Sequence, residues 1–179
     1  MARKRKSYYT DTEKGNYQLL NPTKYMVEGV TEVPYKSSWE KRFFGLCDGN
    51  PFVTRWAYEL FEIPYSSPVY LKQSLYKPDI YLECQYEDGH TEKWLIEVKP
   101  VAYSVVPVAP KPPPQGCQDQ KKLDSYRKRL ATYERKSADV AANYAKWAAA
   151  EAWCKRHQVN WWIANEKNTR DLFKRSVSV

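Results

Sequence analysis

Glu97 and Lys99 stand two residues apart in the stretch Trp94–Pro100 (WLIEVKP), which is otherwise apolar. In an extended strand side chains alternate faces, so this carboxylate and this ammonium share one face. Upstream, Asp79 follows Pro78 at the start of a second β-rich run, PDIYLECQY. Between the runs Asp88-Gly89 is a hairpin signal. The turn folds one run back on the other, so that Asp79 and Glu97 face a common point with Lys99 one step further. Two convergent carboxylates suit a hard divalent cation, Mg2+ or Mn2+, which takes few protein oxygens and keeps water. Such a cation binds a phosphate oxygen and acidifies a water, and a neighbouring ammonium offsets charge developing at phosphorus. The chemistry indicated is phosphodiester hydrolysis. Glu40 is a further candidate carboxylate. The plain alternative is an exposed Glu-x-Lys ion pair, worth about 0–1 kcal/mol.

The elements that must position these groups follow from periodicity. In SSWEKRFFGLCDGN, Ser37 caps a short helix and Glu40 completes a capping box, which explains Glu40 without any chemistry. Gly49 and Pro51 end that helix. A strand is expected over Val53–Ile63, then a loop with Ser66, Ser67 and Pro68. The PDIYLECQY strand places Asp79, Tyr81 and Glu83 on one face and Ile80, Leu82 and Cys84 on the other. The next strand, Lys93–Lys99, pairs back antiparallel. Its apolar face is expected in the core and its Glu-x-Lys face on a reactive site. Six of the twelve prolines lie between Pro100 and Pro114, which excludes a regular helix or central strand there. From about Gln120 to His157 the pattern is helical, as two helices or one with a bend near Ser137. VNWWIAN is a last strand, parallel to its neighbour through the helical crossover. The order predicts an α/β fold with helices flanking a small mixed sheet. Residues 1–34 read as an extended basic arm, 35–166 as the domain with a proline-rich insertion at 100–119, and 167–179 as a polar tail.

Composition narrows the setting. Twenty-nine Lys and Arg against 21 Asp and Glu give a formal charge of +8, which favours a polyanionic partner. The cationic MARKRK tip and the basic segment Lys121–Lys136 are candidate phosphate contacts, among them Lys121, Lys122, Arg127 and Lys128. An ordinary solvated helix face explains the latter equally well. The four cysteines form no CxxC pair and there are two histidines, which argues against structural zinc and histidine-cluster chemistry. No signal peptide or membrane-length apolar run is visible.

Pro78-Asp79 followed eighteen residues later by Glu97-Val98-Lys99 resembles the PD-(D/E)XK nuclease signature, and the α-β-β-β-α-β order is similar to the restriction-endonuclease-like core. Tyr35–Trp56, Glu62–Pro68, Tyr76–Leu82, Leu95–Pro100, Asn143–Cys154 and Asn160–Glu166 resemble the head-completion nucleases of tailed phages. The resemblance implies Asp79 and Glu97 as metal ligands, Lys99 as the catalytic cation, and Glu40 as a further residue of the site. It also matches Glu59 to an acidic position, and Asn143 and Lys146 to polar helix positions that could touch DNA. An ordinary solvated helix face explains those two more simply. The family's usual Thr-Glu near the last strand reads Asn165-Glu166 here, and the proline-rich loop replaces a lysine-rich one. A Mg2+- or Mn2+-dependent deoxyribonuclease is thereby implied, acting on double-stranded DNA beside portal, connector or neck proteins. It would be assembled in the host cytoplasm into the virion neck, with no membrane. Two other readings compete. One is a non-catalytic neck protein that binds DNA and portal-proximal proteins. The other is a junction resolvase or transposon end-cleaving nuclease on the same scaffold.

Overall fold

In the computed structural model, which describes residues 13–169, apolar side chains sort onto the two faces of one mixed sheet. Eight strands and two helices follow in the order β1 (Gly15–Gln18), β2 (Glu32–Tyr35), α1 (Ser38–Gly49), β3 (Val53–Tyr58), β4 (Ile63–Ser67), β5 (Lys72–Tyr76), β6 (Ile80–Gln85), β7 (Thr91–Val98), α2 (Gln120–His157) and β8 (Asn160–Ala164). The central sheet runs β3-β6-β7-β8. Its first three strands are antiparallel neighbours, and β8 lies parallel to β7 after the α2 crossover. The expected α/β sandwich with a small mixed sheet is present.

Alternation along β6 and β7 decides which helix each face receives. Ile80, Leu82, Trp94, Ile96 and Val98 face α1, where Phe43, Phe44 and Cys47 pack with Trp56. Tyr81 and Leu95 face the other way, onto Trp147, Ala150 and Cys154 of α2 and onto Ile63, Tyr65 and Tyr76. Strand β7 is therefore buried on both faces, with Leu95 and Ile96 both essentially inaccessible. This corrects the expectation of one core face and one open face. All four cysteines are free thiols, and Cys47, Cys84 and Cys154 are core residues.

Local chemistry explains the element ends. Ser37 Oγ accepts the Glu40 N–H at 3.2 Å and so caps α1. The Glu40 carboxylate reaches back to the Lys36 N–H at 2.7 Å, one residue before the position a capping box would use. Strand β3 stops at Tyr58, because Glu59 turns into the left-handed region at φ 48°. The expected single strand to Ile63 is thus two strands. Ile63 and Tyr65 alternate with exposed Pro64 and Ser66 in β4, and the predicted loop is a β4–β5 hairpin. A proline is tolerated there because that pair of strands leaves an edge.

Helix α2 is continuous over 38 residues, one helix through Ser137 rather than two. Asp119 caps its start by accepting the Lys122 N–H at 3.2 Å, and Gln158 in the left-handed region closes its end. Only its second half, from Val140 onward, contributes buried residues. Among the described residues no helix is long and apolar enough to cross a membrane.

The segment read as an extended arm folds back over its described part. Strands β1 and β2 pair, and Tyr17, Leu19, Tyr25 and Val30 pack against the α1 face of the core. Asp48, fully buried at the end of α1, accepts the N–H groups of Leu20 and Asn21 at 2.6 and 3.1 Å and the Tyr17 hydroxyl at 3.1 Å. Gly15 in β1 leaves room for the Tyr35 ring, since a Cβ there would fall 2.7 Å from the Tyr35 hydroxyl and displace it. The MARKRK tip and residues 170–179 of the predicted tail lie outside the described residues.

Candidate active site

The β6–β7 register pairs Ile80 with Ile96, so the next cross-strand pair outward is Asp79 opposite Glu97. Both share the parity of Tyr81 and Leu95 and point to the α2 side of the sheet. The site therefore begins where two strands run out of ladder. Asp79 Oδ2 accepts the Val98 N–H at 2.8 Å, and so replaces the backbone carbonyl that β6 no longer supplies. Its other oxygen takes no hydrogen bond among the described residues.

Glu97 is 4% exposed and held from two sides. Tyr76, the last residue of β5, donates its hydroxyl to Glu97 Oε2 at 2.5 Å. Lys99 Nζ lies 3.1 Å from Glu97 Oε1. The Lys99 backbone N–H donates to Ala164 O at 2.8 Å, which anchors the residue to β8. Around this pair the β4–β5 hairpin and α2 form a wall. Lys146 of α2 places its ammonium 5.8 Å from the Tyr76 ring centre and 5.9 Å from that of Tyr65. Such cation–π contacts keep a charged group at the rim of an otherwise apolar wall.

Glu40 approaches from the start of α1. It is buried, and its Oε2 also accepts the Tyr58 hydroxyl at 3.3 Å. Its charge acts on both Asp79 and Lys99. Glu59 donates its backbone N–H to Asp79 O at 2.9 Å, while its carboxylate pairs with Lys36 at 2.5 Å in a part-exposed bridge. Glu59 thus braces the strand carrying Asp79 and turns its own acid away toward Lys36.

The electrostatics follow from the crowding. Burial, then the charge of Glu97, pushes the Asp79 carboxyl well above the ordinary range, against the pull of the Val98 N–H. Burial works against the Lys99 charge, but Glu97, Asp79 and Glu40 outweigh it and raise the amine above its usual value. Lys99 is a cation at neutral pH. The Tyr76 phenol is raised by burial and by Glu97, so it remains a donor. Tyr58 is raised likewise by burial, then by Glu40.

This donor set fits a Mg2+-type ion of limited protein coordination. The charge of Glu97 opposes ionisation of Asp79, and a divalent cation would relieve that repulsion. One or two carboxylates with water and a phosphate oxygen are what such an ion ordinarily takes. Among the described residues no three His, Cys, Asp or Glu side chains gather into a cage, so Glu40 completes no ready-made triad.

The other sequence candidates are engaged in contacts of their own. Lys121, Lys122, Arg127 and Lys128 are exposed on the first half of α2, where Arg127 pairs with Asp124 at 3.2 Å and Lys122 with Asp119 at 3.5 Å. Asn143 is buried and donates to Tyr103 O at 3.2 Å, a structural tie rather than the solvated face expected. Glu166 accepts the Val101 N–H at 3.0 Å and joins the turn after β8 to the chain leaving β7. Sequence reasoning missed Tyr76 and Tyr58, the two hydroxyls that orient Glu97 and Glu40. The available signal for Tyr76 was its parity with β4 and β5, which was invisible while that hairpin read as a loop.

Comparison with known proteins adds two findings. A family model described as TnsA-like endonuclease N terminal matches residues 50–166, which spans β3 through β8. The head completion nuclease of Enterobacteria phage T4 is 26% identical over 158 residues, covering 88% of this chain and 94% of that relative.

Proposed function

Because the chain belongs to the TnsA-like endonuclease N-terminal family, we propose that it is a metal-dependent deoxyribonuclease of the PD-(D/E)XK type acting in phage head completion. The observation that carries the proposal is the cross-strand pairing of Asp79 with Glu97, beside the paired ammonium of Lys99. Asp79 and Glu97 would hold Mg2+ or Mn2+. When bound, the ion supplies Lewis-acid activation of the phosphate and of the attacking water.

The chain's own residues do the remaining work. Tyr76 fixes the Glu97 carboxylate in one orientation, with its Oε1 turned to the Lys99 ammonium. Lys99 carries a full positive charge where the phosphoryl oxygens gain negative charge, and such a fixed charge stabilises the transition state. Water attacks phosphorus and gives up a proton to solvent, the bond from phosphorus to the leaving sugar oxygen breaks, and solvent protonates that oxygen. Glu40 reinforces the negative potential that holds Lys99 charged. Lys146, at the rim, is placed to meet a neighbouring phosphate.

The place of action rests on the near end-to-end match with the phage T4 relative, whose name carries the head-completion role. We assign this chain the same setting: the virion neck, beside portal or connector proteins, at the end of packaged double-stranded DNA. The test is incubation of linear and circular duplex DNA with Mg2+ or Mn2+. Wild type should cut and Asp79→Ala should not. Equal behaviour of the two proteins would remove the catalytic role and leave a DNA-binding neck component.

A further inference from the structure

The first half of α2 carries a charge repeat that the catalytic centre does not use. Lys121-Lys122, Lys128-Arg129 and Arg135-Lys136 are three basic pairs set seven residues apart, and all six side chains are exposed. Seven residues are nearly two turns, so the pairs line one side of the helix at intervals of about 10.5 Å. Among the described residues only Lys122 of the six has an ion-pair partner, Asp119 at 3.5 Å.

The opposite side of this half-helix is already covered. Leu123, Tyr126, Leu130 and Tyr133 recur there at spacings of three and four and are half-buried. The proline-rich segment is tied to the same helix at both ends. Its start is tied to α2 by the Tyr144 hydroxyl, which donates to Ser104 O at 2.8 Å, and its end is the Asp119 cap. From Tyr144 back to Gln120 is 24 residues of helix, or about 36 Å. The fifteen residues from Ser104 to Asp119 must span that distance, about 2.4 Å each. This is an extended chain with one turn, closed at Cys117 N–H to Pro114 O and at Gly116 with φ 79°. Pro107, Pro110 and Pro113 are half-buried at the period of three of a polyproline II strand. The helix beside this strap keeps its apolar residues half-buried and its basic pairs exposed.

We infer that this basic side of the arm docks the phosphate backbone of duplex DNA flanking the cleaved phosphate. The inference rests on the nuclease reading of the site. The same helix runs on to Lys146 at the site's rim, and the three pairs lie about 16, 26 and 37 Å from Lys146 along its axis. At about 3.4 Å per base pair, the arm reaches roughly eleven base pairs from the cut. Duplex fits better than single strand, because the arm's aromatic rings, Tyr126 and Tyr133, lie on the strap side and offer no stacking platform among the pairs. A protein partner would need exposed apolar area, and the apolar residues of this half-helix are half-buried on the side away from the pairs.

The experiment measures binding of the full-length protein to a labelled 30-base-pair duplex in EDTA, as a function of salt. In the test variant all six basic residues become Gln, which keeps helix propensity, and circular dichroism confirms an unchanged helix content. With about 0.9 counterions released per phosphate, the slope of log K against log salt should fall by about 5 in magnitude. Variants of one pair should each lose about 1.8. Trimming the duplex to 8 base pairs should weaken the wild type far more than the six-fold variant. A slope changed by less than 1, or equal length dependence in both proteins, overturns the inference and points to an acidic protein partner instead. Because binding is read without divalent cation, a wild type that fails to cut DNA refutes the nuclease reading and leaves this result standing.

Discussion

Replacing Asp79 by Asn should make the metal-free protein more stable while destroying its response to Mg2+. The Asn side-chain carbonyl can still accept the Val98 N–H that Asp79 Oδ2 accepts at 2.8 Å. What disappears is a negative charge that is buried and set opposite Glu97, the two causes that raise the Asp79 carboxyl well above its ordinary value of 3.8. The folded-state value exceeds the unfolded one. The associated stability is therefore complete below about pH 3.8 and is lost as pH rises through the folded value. In EDTA the wild type should thus weaken relative to Asp79→Asn as pH rises toward 8. Each tenfold displacement of the proton equilibrium is worth about 1.4 kcal/mol, or about 3–6 °C of Tm for a chain of this size. Magnesium at one hundred times its Kd should return about 2.7 kcal/mol to the wild type and nothing to the variant. Thermal unfolding between pH 5 and 8, with EDTA or with Mg2+, reads both effects. An Asn variant less stable than wild type at every pH, or equally stabilised by Mg2+, would refute the reasoning and leave Asp79 as a strand-end cap.

Three further outcomes follow from the same contacts. Tyr76→Phe removes the only neutral donor to buried Glu97 Oε2 among the described residues. It should cost about 1.5–3 kcal/mol in chemical unfolding and weaken Ca2+ binding measured by calorimetry; unchanged affinity would separate the hydroxyl from the site. Asp48→Ala leaves two backbone N–H groups and the Tyr17 hydroxyl without their acceptor. Hydrogen exchange at Leu20 and Asn21 should accelerate at least tenfold, and protection equal to wild type would show that Asp48 does not hold the N-terminal segment. Ser37→Ala deletes the α1 cap and should lower stability by about 1 kcal/mol. If Glu40 serves the site through its charge, Glu40→Gln should reduce cleavage more than Ser37→Ala does, although both loosen the same helix start.

Much of the fold was legible because periodicity and turn chemistry agreed. Asp88-Gly89 gave the β6–β7 hairpin, and the alternation about Ile80 and Ile96 gave the face that Asp79 and Glu97 share. The β4–β5 hairpin was hidden because Pro64, Ser66, Ser67 and Pro68 are turn-forming residues, and only packing under α2 makes a strand of Ile63–Ser67. The continuity of α2 was hidden for a related reason. Its two halves carry different apolar stripes, the first only half-buried and the second packed on the sheet. The folded N-terminal segment was masked by its polar composition, because Asp48 holds it by hydrogen bonds. Of the candidate site, Asp79, Glu97 and Lys99 could be read from spacing. Tyr76 and Lys146 could not, since both reach the centre through tertiary contacts of a hairpin and a helix.

The most direct measurement is anomalous diffraction from crystals of the protein soaked in Mn2+. A peak about 2.0–2.2 Å from an oxygen of Asp79 and an oxygen of Glu97, absent in crystals of Asp79→Asn, is the predicted result. Saturating Mn2+ with no peak between those two carboxylates, while Lys99 still occupies Glu97 Oε1, would contradict it.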